Sequence, residues 1–353
     1  MRVVALLLLA ANAASSFTSI APPPAFYPRL LGSAGAAPAL AVVEAPTADT
    51  RRLVLVARTD ARADTGVPTG AVVAAAPAAN STDLANGFLL RLTDGRLLCA
   101  YRHHDGDGAA RVFRIALVAS ADSGATWGAE TVVAAGPTGV WEPFLLERGG
   151  SVHIFYAAEL TNGGEQDIVR RSSDDGGATW SAVDARVHTA GSRNGMPGVA
   201  ALADGSLFAV FEGFWGPAGW GHFTVNGARS FDGGATWPQR GIVHAPADPS
   251  ANAGSPQVAV CADAQTVVVV FMSSEAAHRG AAWPDSAHVS LVSATLNASN
   301  ASAPLAFSSQ PATVPTGGDA LWPSLFVDAA RAGATRAAWQ TAAGAAELGG
   351  EVC

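Results

Sequence analysis

The feature that most constrains the fold is an eight-residue motif, S-x-D-x-G-x-T-W, that occurs three times. The aspartates of the three copies are separated by 53 and 57 residues. Three copies at nearly regular spacing predict repeated supersecondary units rather than one irregular domain. The copies occupy Ser120–Trp127, Ser173–Trp180 and Ser230–Trp237.

Each copy is predicted to be a hairpin turn. The aspartate carboxylate can accept hydrogen bonds from backbone N–H groups of the turn, and glycine permits a positive φ. The tryptophan supplies a large apolar side chain that can be buried beneath the turn. The three aspartates are Asp122, Asp175 and Asp232.

A second, looser repeat runs along the whole chain. A proline or glycine opens an apolar strand at intervals of 54 to 67 residues, and a second apolar run follows each opening. Six such units, each of about four short strands, predict an all-β fold, a six-bladed β-propeller. A β-sandwich does not predict this period, and a β-helix has much shorter repeats. The openings are Pro28, Gly87, Pro143, Pro197, Pro256 and Pro323.

The sixth unit shows two strands before the chain ends at Cys353. The last blade is therefore expected to be incomplete unless the N-terminal segment contributes to it. Residues 15–27 have room for one short strand.

The N-terminus has the pattern of a secretory signal peptide. Arg2 precedes the apolar run Val3–Ala11, and Ala11-Asn12-Ala13 fits the small-residue cleavage rule. We therefore assign 1–21 as a signal peptide and 22–353 as the propeller, and we expect a secreted, extracellular protein. A buried N-terminal strand is the alternative.

Charge and cysteine content exclude several classes of function. The net charge of −8 does not favour nucleic acid or an anionic membrane surface as a partner. The three cysteines form no metal-binding pattern. Cys99 and Cys261 are most simply buried free thiols, with a bridge between them as the alternative. We expect no metal, no cofactor, no membrane span and a monomer.

Two carboxylates stand out where the blades would converge on a central pocket, the usual ligand site of a propeller. Glu142 follows Trp141 at the start of the third unit, and Glu212 ends the second strand of the fourth unit. Glycoside hydrolysis requires such a pair, one protonated and one ionised. The structural alternative is that Glu142 pairs with an arginine between blades and Glu212 is a rim charge. His103 and His104 do not predict a metal site, because adjacent residues of a strand point to opposite faces.

The turn motifs resemble the Asp boxes, or BNR repeats, of the sialidase (neuraminidase) superfamily. An ordered series of segments further resembles the exo-α-1,5-L-arabinanases of glycoside hydrolase family 93. The segments are Tyr27–Leu30, Asn86–Leu90, Tyr101–Asp105, Val140–Leu145, Gln166–Asp167, Ser192–Gly198, Ala209–Glu212, Phe223–Asn226, Asn252–Val258 and Val270–Ser273.

The resemblance implies a six-bladed retaining exo-glycosidase that releases arabinobiose from arabinan. It implies Glu142 as the acid/base and Glu212 as the nucleophile. It also implies polar residues that bind the sugar, with Trp141 as a stacking surface. These residues are Arg29, Asn86, Arg102, Asp105, Gln166, Asp167, Arg193, Asn194, Asn252 and Gln257.

Three positions depart from the family pattern. His103 stands where an asparagine is expected and Asn194 where an aspartate is expected, and no tyrosine follows Tyr156. Two other functions therefore remain open. One is a non-catalytic carbohydrate-binding propeller. The other is an exo-α-sialidase, which would require a late tyrosine nucleophile and three arginines around a carboxylate.

Overall fold

A computed structural model describes the chain in these ranges: 18–21, 24–32, 39–58, 66–78, 81–159, 165–188, 192–214, 222–275, 283–284, 287–297, 300, 302–314, 316, 319–328, 333–341 and 343–353. Within them, 24 strands form six four-stranded antiparallel sheets. The predicted six-bladed, all-β propeller is confirmed. No helix in these ranges is long and apolar enough to cross a membrane.

The first three blades are each built from four consecutive strands. Blade 1 contains β2 Phe26–Leu31, β3 Leu40–Glu44, β4 Thr50–Arg58 and β5 Gly66–Pro77. Blade 2 contains β6 Asp83–Arg91, β7 Leu97–Asp105, β8 Val112–Ser120 and β9 Thr131–Gly136. Blade 3 contains β10 Val140–Arg148, β11 Ser151–Ala158, β12 Asp167–Ser173 and β13 Ala185–His188.

The last three blades complete the ring. Blade 4 contains β14 Asn194–Ala201, β15 Leu207–Gly213, β16 Thr224–Ser230 and β17 Gln239–His244. Blade 5 contains β18 Ala253–Val260, β19 Thr266–Ser273, β20 His288–Thr295 and β21 Ala312–Thr313. Blade 6 contains β22 Ala320–Asp328, β23 Ala334–Thr341 and β24 Ala346–Glu351, together with β1 Thr18–Ala21.

The sixth blade joins the two ends of the chain. The C-terminal segment supplies three strands, so taken alone it is incomplete as expected, although it contains β24 in addition to the two strands visible in the sequence. The fourth strand is β1, which pairs antiparallel with β24. The sequence predicts room for one short strand in residues 15–27, and β1 is that strand.

The predicted signal peptide, 1–21, overlaps β1. Cleavage after the Ala11-Asn12-Ala13 sequence would leave β1 on the chain, whereas removal of all 21 residues would take it away. Residues 1–17 lie outside the described ranges, and the signal peptide remains a prediction.

The Asp boxes connect the third and fourth strands of blades 2, 3 and 4. In the first copy, Asp122 accepts hydrogen bonds from the backbone N–H of Thr126 at 2.8 Å and from its hydroxyl at 2.5 Å. The hydroxyl of Ser120 accepts the N–H of Gly124 at 2.8 Å. The other copies repeat these bonds, and they lower the pKa of all three aspartates. The boxes are the turns that the sequence predicts.

The hydrophobic core lies between neighbouring blades. One cluster joins Phe155 and Ile168 of blade 3 to Val199, Phe211 and Trp237 of blade 4. Both faces of a blade are covered in this way, so the inner strands are buried along most of their length. The β15 strand, for example, is buried at every residue.

A disulfide links Cys261, in the turn after β18, to the last residue, Cys353. Cys99 is a buried free thiol, as predicted. The interpretation of Cys261 as a free thiol is wrong, because the antiparallel return of β24 places Cys353 beside that turn. The backbone carbonyl of Cys353 also accepts the N–H of Thr335 at 2.8 Å. The disulfide thus joins blade 5 covalently to the segment that follows β24 of blade 6.

Replacing Cys353 by serine is expected to lower the free energy of unfolding by about 2–4 kcal/mol, because the bridge closes a loop of 92 residues. Denaturant titration of the oxidised protein checks this value. Reductant should lower the stability of the wild type and leave the Cys353→Ser variant unchanged. Equal stability of the oxidised wild type and the variant would contradict the prediction.

Candidate functional site

A cavity of about 560 Å³ lies where the six blades converge. Its wall combines carboxylates, guanidinium groups and aromatic rings. The residues that line it are Phe26, Tyr27, Glu44, Asn86, Arg102, Glu142, Arg193, Met196, Glu212, Phe223, Met272, Trp283, Trp322 and Gln340.

The first strand of every blade carries a β-bulge at the same place, and the bulged residue has a positive φ between 36° and 55°. Positive φ is rare for bulky side chains, and its recurrence in all six blades shows that the bulge is a regular part of this fold. The residue after each bulge is the proline or glycine of the looser repeat. We call these six residues the bulge ring: Tyr27, Asn86, Glu142, Met196, Ser255 and Trp322.

The second strands supply another ring of residues. In every blade, the residue just before the bulge pairs with one position of the second strand. We call these six positions the second ring: Glu44, Arg102, Ala157, Glu212, Met272 and Gln340. All except Ala157 line the cavity. Two rings of inward positions therefore account for most of the wall.

Among the described residues, hydrogen bonds between the rings tie a blade to the next at four of the six junctions, because the arginine and the alanine at the second-ring positions of blades 2 and 3 have no acceptor. Gln340 of blade 6 accepts the N–H of Tyr27 in blade 1 at 2.9 Å. Glu44 of blade 1 accepts the N–H of Asn86 in blade 2 at 2.8 Å. Each bond uses a bulge N–H, which the strand pairing leaves free. We call this contact the inter-blade latch.

Two further blade junctions have the same latch. Glu212 of blade 4 accepts the N–H of Ser255 in blade 5 at 2.8 Å. The sulfur of Met272 in blade 5 accepts the N–H of Trp322 in blade 6 at 3.5 Å. A carboxylate, an amide and a thioether can all serve as the acceptor.

Blade 3 departs from this pattern, and the departure concerns Glu142. The second-ring residue of this blade is Ala157, which has no acceptor. The N–H of Met196 instead donates to the Glu142 carboxylate. Glu142 is itself the bulged residue of blade 3, with a φ of 36°.

Glu142 lies in a strongly cationic part of the cavity. Its Oε1 is 3.9 Å from Nη1 of Arg102, which is itself paired with Asp83 at 2.9 Å. Burial raises the pKa of Glu142, and the charges of Arg102, Arg193 and Arg29 oppose that rise.

Glu212 is packed between two glycines. A Cβ at Gly254 would lie 2.6 Å from Oε2 of Glu212, and a Cβ at Gly195 would lie 3.3 Å from Oε1. Larger residues at these positions would displace the carboxylate. Burial raises the pKa of Glu212 to about 7, and the nearby charge of Glu142 adds to the rise. Because both pKa values are raised, the pair can hold a proton near neutral pH.

Five of the residues predicted from sequence line the cavity together. They are Asn86, Arg102, Glu142, Arg193 and Glu212. Sequence reasoning missed Glu44, Met272 and Gln340 of the second ring, and it did not select Tyr27, Met196 or Trp322 as site residues. A usable signal was present, because the residue before the opening proline or glycine lines the cavity in five of the six blades, Ser255 being the exception.

Two predicted residues lie just behind the cavity wall. Arg29 donates to the backbone carbonyls of Pro28 and Trp322 and lies 3.8 Å from the ring centre of Tyr27. Trp141 donates its indole N–H to Glu159 at 3.0 Å. Both residues support neighbours that face the cavity.

The remaining predicted residues lie outside the lining. Asn194 donates its amide to the carbonyl of Gln166 at 2.9 Å, and both side chains are buried. Asp105 pairs with Arg114, and Asp167 with Arg186. The amide oxygen of Asn252 accepts the N–H of Phe223 at 2.9 Å. Gln257 is buried beside Gly198.

The two adjacent histidines point to different environments, as expected. His104 is fully buried, and its Nε2 lies 2.8 Å from the carbonyl of Val140. Burial lowers its pKa to about 4. His103 contacts Glu130 at 2.8 Å. Among the described residues, no group of three or more His, Cys, Asp or Glu side chains could hold a metal ion.

Comparisons with known proteins agree with this architecture. The BNR repeat-like domain family matches residues 59–212. The fold is similar to that of an α-L-arabinanase from Penicillium chrysogenum solved with arabinobiose, with a TM-score of 0.71, 20% identity and coverage of 96% of this chain and 99% of that chain. No curated protein matches the sequence.

Two further solved structures have similar folds. An α-L-arabinofuranosidase from Fusarium graminearum, solved with an iminosugar inhibitor, has a TM-score of 0.68, 20% identity and coverage of 96% of this chain and 97% of that chain. A sialidase from Streptococcus pneumoniae has a TM-score of 0.61, 10% identity and coverage of 96% and 68%. The resemblance to the sialidase superfamily and, in fold, to family 93 is confirmed.

The Glu212→Gln variant is expected to be more stable than the wild type at high pH, because its side chain cannot ionise. When folding raises the pKa of a carboxyl from 4.5 to about 7, the folded protein loses stability as the pH rises through that interval. The free energy of unfolding of the variant, relative to the wild type, should increase between pH 4.5 and 7 by on the order of 3 kcal/mol.

Denaturant titrations at pH 4, 5.5 and 8 measure this difference. The matched control is Glu147→Gln, which changes a carboxylate at the other end of β10, where it accepts the N–H of Thr93 at 2.8 Å. Its stability relative to the wild type should not follow the same trend. A difference for Glu212→Gln that does not depend on pH would show that folding does not raise the pKa of this carboxyl.

Proposed function

We propose that the protein is a glycoside hydrolase that uses Glu142 and Glu212 as its catalytic pair. The observation that carries the proposal is that both carboxyls line one axial cavity and that burial raises both pKa values. Glycoside hydrolysis needs one carboxyl that donates a proton and one that acts as an anion.

We propose a retaining mechanism. One carboxylic acid protonates the leaving oxygen while the other carboxylate attacks the anomeric carbon and forms a glycosyl ester. The first residue, now ionised, then removes a proton from water, which hydrolyses the ester and restores both groups. The resemblance implies Glu142 as the acid/base, but the electrostatics favour the opposite order: Glu212, with a pKa raised to about 7, is the acid/base, and Glu142, whose negative charge is stabilised by arginines, is the nucleophile.

The groups around Glu142 and Glu212 are placed to stabilise the charges that form on these carboxyls during the reaction. The guanidinium groups of Arg102 and Arg193 favour the ionised form of Glu142, which is the form that attacks the anomeric carbon. The Ser255 N–H fixes one oxygen of Glu212 and leaves the other oxygen without a partner among the described residues. Such fixed groups contribute to catalysis because they need no rearrangement.

The proposed substrate is an arabinan or a related neutral polysaccharide, attacked from its chain end. The fold similarity to an arabinanase and an arabinofuranosidase supports this choice, as do the cavity residues shared with the predicted motif segments. A polysaccharide is met outside the cell, so we also propose that the chain is secreted through its N-terminal signal.

The sialidase alternative requires an activated tyrosine. Tyr27 is the one tyrosine among the described residues of the lining, and burial raises its pKa to about 12. A tyrosine with a raised pKa is a poor nucleophile. A non-catalytic binding propeller would have no need of a carboxyl whose pKa is raised to about 7, because proton transfer is not part of binding.

Glu142→Gln and Glu212→Gln are each expected to lower kcat on linear arabinan by about 10²–10⁴-fold, because each removes an acid–base or nucleophilic group. Release of arabinobiose from the purified chain measures the effect. Glu147→Gln is the matched control and should retain wild-type turnover. If either active-site variant turned over arabinan as fast as the wild type, the assignment of the catalytic pair would be wrong. Release of sialic acid from a sialoside would overturn the choice of arabinan as the substrate.

Azide rescue separates the two roles. In Glu142→Ala, azide should attack the anomeric carbon directly and give a glycosyl azide of inverted configuration. In Glu212→Ala, azide should attack the glycosyl ester and give a product of retained configuration. NMR of the azide products distinguishes the two outcomes, and the opposite pattern would exchange the assigned roles.

A further inference from the structure

The cavity contains a third carboxylate, Glu44, that the proposed reaction does not use. It belongs to the second ring of blade 1, in the register position that Glu212 occupies in blade 4. Blades 1 and 4 are three positions apart in a ring of six, so the two side chains lie on opposite walls. Consistently, the carboxylate that raises the pKa of Glu212 is Glu142.

The inter-blade latch does not explain why this position carries a charge. Glu44 accepts the N–H of Asn86, but Gln340 makes the same latch to Tyr27 with a neutral amide. Met272 makes it with a thioether. A partly buried carboxylate is a more costly choice than a neutral acceptor, and the partial burial of Glu44 raises its pKa.

No arginine neutralises Glu44 through a direct ion pair within the described part of the chain. Arg102 pairs with Asp83 and approaches Glu142, while Arg29 is held by backbone carbonyls. These two guanidinium groups act on Glu44 only from a longer distance. One oxygen of Glu44 accepts the Asn86 N–H, and the side chain lines the cavity. Its remaining acceptor capacity is therefore available to a ligand.

We propose that Glu44 is a specificity-determining residue that accepts hydroxyl hydrogens from the second sugar unit, on the wall opposite Glu212. An ionised carboxylate is acceptor-only, so it matches a sugar that offers hydroxyl donors. The same charge repels a sugar unit that carries its own carboxylate. Glu44 thus selects neutral over acidic chain ends. This inference rests on the proposed glycosidase function.

Glu44→Gln tests the proposal because it keeps the latch acceptor, as Gln340 shows, and removes the charge. On an aryl glycoside of a neutral α-1,5-arabinobiose, kcat/KM should fall by about 10- to 100-fold, since charged hydrogen bonds are stronger than neutral ones. On the aryl glycoside of a single arabinofuranose, it should change less than about twofold, because that substrate lacks the second unit. Glu147, which accepts the N–H of Thr93 at 2.8 Å away from the cavity, provides the control Glu147→Gln.

Equal losses on both substrates, or no loss on either, would overturn the role of Glu44. The assay also separates this inference from the proposed function, because wild-type turnover establishes the latter by itself. If the wild type does not turn over, calorimetric titration with arabinobiose replaces the kinetic assay. Weaker binding by Glu44→Gln than by the wild type would then support the inference, and equal or absent binding by both would overturn it.

Discussion

The rest of the site depends on the hydrogen bond that joins a bulge N–H in one blade to a second-ring side chain in the blade before it. The bulge turns one residue per blade towards the axis and frees its N–H from the strand ladder. A buried N–H without an acceptor would cost free energy, and at four of the six junctions the second-ring side chain of the neighbouring blade supplies that acceptor. The same contact thus fixes the spacing of blades and the position of the side chains that line the cavity. In blade 3, where Ala157 has no acceptor, this requirement falls on Glu142 itself.

This arrangement places ionisable groups where water is scarce, and the electrostatics follow from that. Glu44, Glu142 and Glu212 share one cavity with Arg102 and Arg193, and burial raises the pKa of all three carboxyls. A stable core has no use for such groups, and a structure that tolerates them marks a site where protonation matters. The disulfide and the pairing of β1 with β24 hold the ring closed around this unfavourable centre.

Much of the fold could be predicted because its determinants are local. The Asp boxes, the opening prolines and the two apolar runs of each unit all lie within short segments, and the six blades follow from their period. The site was predicted only in part. Asn86, Glu142 and Glu212 belong to recognisable segments, whereas Glu44 and Gln340 enter the cavity through strand register, which no local motif encodes. Asn194 and Asp167 lie in similar segments but are occupied by protein partners. The Cys261–Cys353 bridge was not foreseen because it depends on a strand, β24, that the sequence pattern did not reveal.

The most direct test of the central claim is covalent trapping of the nucleophile. A carbocyclic arabinofuranose analogue with an epoxide at the reacting carbon should be opened by the attacking carboxylate and leave a stable ester. Peptide mapping by mass spectrometry then locates that ester. The account predicts one label, on the peptide that contains Glu142, and loss of the label in the Glu142→Gln variant. A folded protein that takes up no label, or takes it up at a residue outside the Glu142 and Glu212 pair, would contradict the account.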